Sequence, residues 1–304
     1  MDFKTSFKKK FEAHRVKEEK EPIEILLEGQ YKDAYETLQD AYNAGLYVGI
    51  VGPVGCGKTA LCRKFSDDQE IGFSWVTFSD LIRPATLIGT FDPTLVFKMG
   101  YSVDSFIPGP FTRAALEGSI FFGNEINRGE EYVLNSLLDA LEEKRLYIPQ
   151  LKSWVNVDKD FFFIAAMNPQ ELRGTRVLPQ AFKDRIGVWI TLQYPKMDLE
   201  KKIVKVNAPE INLPTEILDL IVQIVSSTRK NSKISRGGSV RASIAFAKLL
   251  GQRVARLEKK ADKKMIQEVG KLVLGQTLEF GPGIDGNLYV EKLITMKIQE
   301  ANLN

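Results

Sequence analysis

The stretch Leu46-Tyr-Val-Gly-Ile-Val-Gly-Pro-Val-Gly-Cys-Gly-Lys-Thr-Ala-Leu-Cys-Arg-Lys-Phe65 decides how the chain is read. Its first six residues are a continuous apolar run of strand length, and TALCRKF at its end reads as the opening of a helix. Between them Gly52-Pro53-Val54-Gly55-Cys56-Gly57-Lys58-Thr59 fits G-x-x-x-x-G-K-[ST] without a gap, in the strand–loop–helix context that pattern needs. The glycines let backbone N–H groups converge on phosphate oxygens where a bulkier side chain would block the approach. The following helix start, reaching Ala60, adds partial positive charge on the same side. Lys58 then supplies a point charge between the β and γ groups of a nucleoside triphosphate, and Thr59 offers a hydroxyl to Mg²⁺.

Working outward, SWVTF at 74–78, SIFFG at 119–123, FFFIAA at 161–166 and VWITL at 188–192 are four more short apolar runs. None alternates with polar residues, which is the pattern of parallel strands covered on both faces. Helical patterns fall between them, including residues 31–44, closed by Gly45, and 128–145 with Val133, Leu134, Leu137, Leu138 and Leu141 on one face. Strands alternating with helices predict a doubly wound α/β fold, a parallel five-stranded sheet sandwiched by helices. From Pro195 the pattern turns almost wholly helical. The expected organisation is a basic arm at 1–20, an α/β nucleotide-binding subdomain at 21–194 and a helical lid at 195–304.

Two strand ends add chemistry. The run at 119–123 delivers Asn124 and Glu125 at its C-terminal end, where ligands of open α/β sheets sit. Glu125 is the candidate to polarise the water attacking the γ-phosphate. Asn124 stands where a P-loop protein usually has Asp; an amide accepts from a Mg²⁺-bound water but brings no negative charge. The run at 161–166 ends in Met167-Asn168-Pro169, which places the Asn168 amide to hold the water or a γ-phosphate oxygen.

Composition narrows the setting. Lys plus Arg is 42 against 39 acids, a formal charge of +3. The first twenty residues hold seven basic and four acidic side chains, so that arm accounts for the whole net charge. Phe3, Phe7 and Phe11 would share one face of a helix there, either docking a partner or packing on the domain or a neighbouring copy. No stretch approaches the ~20 apolar residues of a membrane span, and the N-terminus lacks the apolar core of a signal peptide. Cys56 and Cys62 make no metal or redox spacing, and His14 is the single histidine. These features point to a reducing cytoplasm.

Taken together, the motifs resemble the AAA+ ATPase superfamily and specifically its MoxR branch, over roughly residues 22–260. Asn124-Glu125-Ile126-Asn127-Arg128 matches the D-E-I-N-R of that branch in four of five positions. Leu178-Pro179-Gln180-Ala181-Phe182-Lys183-Asp184-Arg185 is similar to its L-P-E-A-x-x-D-R segment. Ser239-Val240-Arg241-Ala242-Ser243 looks like its S-P-R-A-S helix start, with Val240 replacing the proline and Ser239 as a candidate N-cap. Gly29-Gln30 resembles the motif beside the adenine, and Tyr194-Pro195 the dipeptide joining the two subdomains. The resemblance implies that Arg185 is an arginine finger reaching the γ-phosphate of an adjacent subunit; a salt bridge with Asp184 or another acid is the plainer reading. Arg241 would be the second sensor and Arg128 a weaker candidate acting in trans. It also implies two insertions, one at 91–110, which reads as a hairpin around Met99-Gly100 whose tip (97–101) lines a central pore or packs on its own domain, and one at 146–158.

The function so implied is ATP hydrolysis with Mg²⁺ at the subunit interfaces of a ring, most simply a hexamer. That hydrolysis would drive chaperone-like remodelling or maturation of a partner, with a separate von Willebrand factor A-domain protein supplied in trans. Asn124 leaves open a hydrolysis-impaired, nucleotide-gated assembly scaffold. The arm and the turn Arg229-Lys230-Asn231-Ser232-Lys233 raise a nucleic-acid motor, against which stands the zero net charge of residues 21–304.

Overall fold

The computed structural model describes residues 24–169 and 174–301. The basic arm, with its Phe stripe and His14, lies outside the described residues. The described chain forms two compact units, one of residues 31–53 and 58–192, the other of 24–30, 54–57 and 193–301.

In the first unit the strands are β1 (Val48–Val51), β2 (Phe73–Thr77), β3 (Gly89–Phe91), β4 (Phe106–Pro108), β5 (Ile120–Asn124), β6 (Arg145–Ile148), β7 (Ser153–Asn156), β8 (Phe162–Met167) and β9 (Val188–Thr191). Five of them make one sheet in the order β2-β5-β8-β1-β9, all parallel. These are the five apolar runs read from the sequence. Residue Phe161 and strand β8 show why such runs do not alternate. Side chains of a strand point to opposite faces in turn, so Phe161 and Phe163 share one face and Phe162 takes the other. Phe163 stacks on Phe121 at 5.7 Å and meets Phe182 at 5.9 Å, while Phe162 meets Tyr42 at 5.3 Å and Phe65 at 5.9 Å. Both faces are therefore core, and each fully buried Phe contributes roughly 1.5–3 kcal/mol. Where β1 and β9 pair, Gly49 opposes Trp189. A Cβ on Gly49 would fall 2.3 Å from the indole Cε3, so the glycine makes room for the ring.

Two elements differ from the sequence reading. The helix expected over 128–145 is broken into a 3₁₀ turn (Ile126–Arg128) and helices Glu131–Asn135 and Leu138–Glu142. Ser136 Oγ donates to the Val133 carbonyl at 2.6 Å, a local bond that competes with the helical ladder. Val133, Leu134, Leu137 and Leu141 are nevertheless buried together. An antiparallel pair, β3 with β4, does border the 91–110 segment, but β3 begins at Gly89, before residue 91, and Met99-Gly100 is not the turn of that pair. Helix Pro93–Met99 fills the connection, and Gly100, at φ +75°, ends it. Asp92 caps this helix, accepting from the N–H groups of Thr94 at 2.8 Å and Leu95 at 3.2 Å, with Pro93 at the first position, where its missing N–H costs nothing. Phe97, on the helix, is 93% exposed. Residues 145–156 form a second hairpin, β6 with β7.

The second unit has helices Met197–Val206, Thr215–Thr228, Val240–Leu257, Lys263–Leu274 and Gly286–Glu300, with a two-stranded ribbon of β10 (Ile234–Arg236) and β11 (Glu279–Phe280). Leu220, Ile221, Val225, Phe246, Leu250, Val269 and Ile294 form its apolar interior.

Candidate nucleotide site

The site grows from the ends of β1, β5 and β8, which the parallel register brings side by side. Gly52 N–H donates to the Met167 carbonyl at 3.2 Å, carrying the β1–β8 pairing one step into the loop. Gly55 and Gly57 then take φ values of +72° and +100°, a region that side chains with a Cβ rarely adopt. Helix Lys58–Asp68 follows at once.

Lys58 is 7% exposed. Its Nζ donates to the carbonyls of Gly52 (2.6 Å) and Pro53 (3.0 Å) and to Asn168 Oδ1 (2.9 Å). An ammonium has three donors, and all three are used, which is what burying this charge requires. Asn168, just past β8, is buried in turn, and its own carbonyl accepts from Asn127 Nδ2 at 3.1 Å. Its Nδ2 points to Glu125 Oε1 at 3.5 Å. Lys58, Asn168 and Glu125 thus form one continuous polar line.

Glu125 sits just beyond β5 with φ +52° and ψ +40°. For a non-glycine residue this backbone costs roughly 1–3 kcal/mol and persists where the surroundings impose it. Its other oxygen makes an ion pair with Arg128 Nε at 2.7 Å. Asn124, opposite Thr77 in the β2–β5 register, donates from Nδ2 to Thr77 Oγ1 at 3.3 Å. Thr59 and Ala60 occupy the first helical turn and are half-buried. Cys56 and Cys62 are buried and in no disulfide, and burial pushes the Cys62 thiol pKa far up.

Other candidates lie elsewhere. Arg185 follows helix Gln180–Asp184 and pairs with Glu142, whereas Asp184 accepts from Gln180 at 2.7 Å. In the second unit Gly29 has φ +53° with open space about its Cα. The neighbouring Gln30 side chain exchanges two hydrogen bonds with the Gln193 backbone, at 2.8 and 3.0 Å. Arg241 is exposed near the start of helix Val240–Leu257, and Ser239 stands at the N-cap position without a side-chain capping bond. In the basic turn at 229–233 Arg229 is withdrawn into an ion pair with Glu200, while Lys230 and Lys233 are exposed. Thr77, Asn127 and Glu200 were missed in the sequence reading. Asn127 lay inside the quoted N-E-I-N-R segment, but Thr77 and Glu200 are single polar residues whose partners are remote in sequence.

An AAA domain of the dynein-related subfamily matches residues 48–186, from β1 through Arg185. The chain is similar to MoxR-like AAA+ ATPases. The gas vesicle ATPase GvpN of Haloferax mediterranei is 26% identical over 220 residues, covering 67% of this chain and 62% of that protein. The denitrification regulatory protein NirQ of Pseudomonas aeruginosa is 23% identical over 219 residues, covering 71% of this chain and 80% of that protein. The match to GvpN therefore spans about three-fifths of the relative's length. Among solved structures, the Thermotoga maritima RuvB Holliday junction branch migration motor shares the fold, with a TM-score of 0.52, 16% identity, and coverage of 80% of this chain and 69% of that one.

Proposed function

We propose that this MoxR-like AAA+ protein hydrolyses ATP in a hexameric ring and uses that hydrolysis to remodel or mature a partner protein or complex. The observation that carries the reading is the line Lys58–Asn168–Glu125 at adjacent strand ends. On this reading the three hydrogen-bonded residues would serve as phosphate-seeking cation, γ-phosphate sensor and general base. The backbone of 52–57 and Ala60 would cradle the phosphates, Gly29 would sit beside the base, and Arg241 would report nucleotide state. Arg185 would act on a neighbouring subunit's nucleotide. Mg²⁺ fits the donor set: Thr59 and Asn124 offer neutral hard oxygens, and Asn124 spends its Nδ2 on Thr77, leaving Oδ1 to accept. Among the described residues there is no cluster of three His, Cys, Asp or Glu side chains for a metal, so nucleotide and water oxygens would complete the shell. When bound, the ion would neutralise phosphate charge. The name of GvpN, a gas vesicle ATPase, supports hydrolysis in the service of a larger assembly. A separate von Willebrand factor A-domain protein is the proposed class of partner. No described helix is long and apolar enough to cross a membrane, which is compatible with a cytoplasmic site of action.

Steady-state phosphate release tests this. Glu125→Gln is expected to lower turnover by about 10²-fold or more while nucleotide binding persists; equal turnover in the two proteins would remove the base from the scheme. A second reading, a nucleotide-gated scaffold, is favoured by the amide at Asn124 and by the Arg128 ion pair on Glu125. Asn124→Asp separates them. On our reading the wild type turns over and the variant needs less Mg²⁺, whereas a silent wild type and an active variant would favour the scaffold.

A further inference from the structure

The second unit holds a charge pair with almost no access to water. Glu200, on helix Met197–Val206, is fully buried. Its carboxylate accepts from both terminal nitrogens of Arg229 at 2.6 and 2.7 Å and from Ser243 Oγ at 2.6 Å. Arg229 Nε donates to the Gly238 carbonyl at 2.7 Å. A buried pair of this kind adds little stability over a well-packed apolar pair of the same volume, so holding helices together does not explain it. What an apolar pair could not do is the next contact. The Arg229 guanidinium lies over the Tyr194 ring, 4.2 Å from its centroid, and the planar fork on Glu200 fixes the plane on which the ring rests. The Tyr194 hydroxyl then donates to the Val54 carbonyl at 3.0 Å.

Val54 belongs to the tip of the 52–59 loop, and residues 54–57 are part of this same unit. A peptide unit is planar and trans, so the Val54 carbonyl and the Gly55 N–H point to opposite sides. Holding the carbonyl on Tyr194 therefore aims the Gly55 N–H the other way. Ser239 confines the same residue: a Cβ on Gly55 would lie 2.6 Å from the Ser239 Cβ. We propose that Arg229 and Tyr194 are positioning residues for the phosphate loop, in which the Glu200–Arg229 pair sets the Tyr194 ring and its hydroxyl pre-orients the Gly55 N–H for a phosphate oxygen. The ligand class is a nucleoside di- or triphosphate, and the inference rests on reading residues 52–59 as its loop.

The test is titration of the full chain with a fluorescent ADP in Mg²⁺, repeated as competition by inorganic triphosphate, which has no base. Tyr194→Phe keeps the ring on Arg229 and removes only the hydroxyl. Loss of one pre-orienting bond is expected to weaken both ligands by about three- to tenfold, with the nucleotide-free protein still melting in one cooperative step and its midpoint lowered by no more than one hydrogen bond accounts for. Arg229→Lys, which keeps charge but loses the fork, is expected to weaken them similarly; should it fail to fold, Tyr194→Phe alone decides. Lys58→Ala separates the two levels. If it binds ADP as the wild type does, the loop reading falls and the inference with it. If Lys58→Ala loses binding while Tyr194→Phe keeps wild-type affinity, only the inference falls. Weakened ADP with unaltered triphosphate binding would place Tyr194 against the base and overturn it, as would loss of cooperative melting in the nucleotide-free Tyr194→Phe protein, the mark of a purely structural role.

Discussion

Position 55 separates what a motif says from what a residue does. In G-x-x-x-x-G-K-[ST] it is one of four free positions, so pattern alone would tolerate any side chain there. The structure gives it φ +72° and no room for a Cβ beside Ser239. Gly55→Ala is therefore expected to destabilise the nucleotide-free chain by about 1–2 kcal/mol from the left-handed backbone alone, with crowding added. A thermal melt reads this directly, and an unaltered midpoint would mean that the loop relaxes freely. Much of the site was legible for the opposite reason: Lys58 and Thr59 sit at fixed positions of that motif, and Glu125 and Asn168 follow directly on apolar runs. Thr77 holds the Asn124 side chain and Asn127 holds the Asn168 backbone carbonyl, and a residue whose work is to orient a neighbour carries no pattern of its own.

Elements were legible in proportion to how much apolar surface they bury. The inner strands β5, β8 and β1 are buried on both faces, so their sequences are nearly unbroken apolar runs, while the edge strands β2 and β9 leave Trp75 and Trp189 partly exposed. Short peripheral elements obey local signals instead, and there the reading failed. Asp92-Pro93 is an N-cap followed by a proline at the first helical position, a start signal, yet the apolar runs on either side of Met99-Gly100 read as a hairpin. The cap is what separates these two conformations, since the helix Pro93–Met99 buries no residue fully. Asp92→Ala removes both side-chain bonds to Thr94 and Leu95 and is expected to cost about 1 kcal/mol locally. Hydrogen exchange at the amides of Val96 and Gly100, which close the helix ladder, should accelerate about fivefold while the β8 amides keep their protection. Equal protection in the variant would show that tertiary contacts hold this helix.

At the scale of the whole molecule the decisive residue is Arg185, because its proposed role cannot be performed by one chain. Within the chain its guanidinium is engaged by Glu142, a half-exposed pair of the kind that contributes little to stability, so the arginine is cheaply redirected. Two defective proteins test whether it is. Lys58→Ala lacks the phosphate grip but keeps the finger, and Arg185→Ala keeps the grip but lacks the finger. Each alone is expected to be nearly inactive. In a head-to-tail ring every subunit presents one surface to the next, so random equimolar mixing sets an intact loop against an intact finger at about one interface in four. The mixture should therefore recover up to about a quarter of wild-type phosphate release per protomer. A mixture no more active than its components would place Arg185 in its own chain's site or outside the chemistry, and recovery that does not fall on dilution below the assembly concentration would argue against a ring.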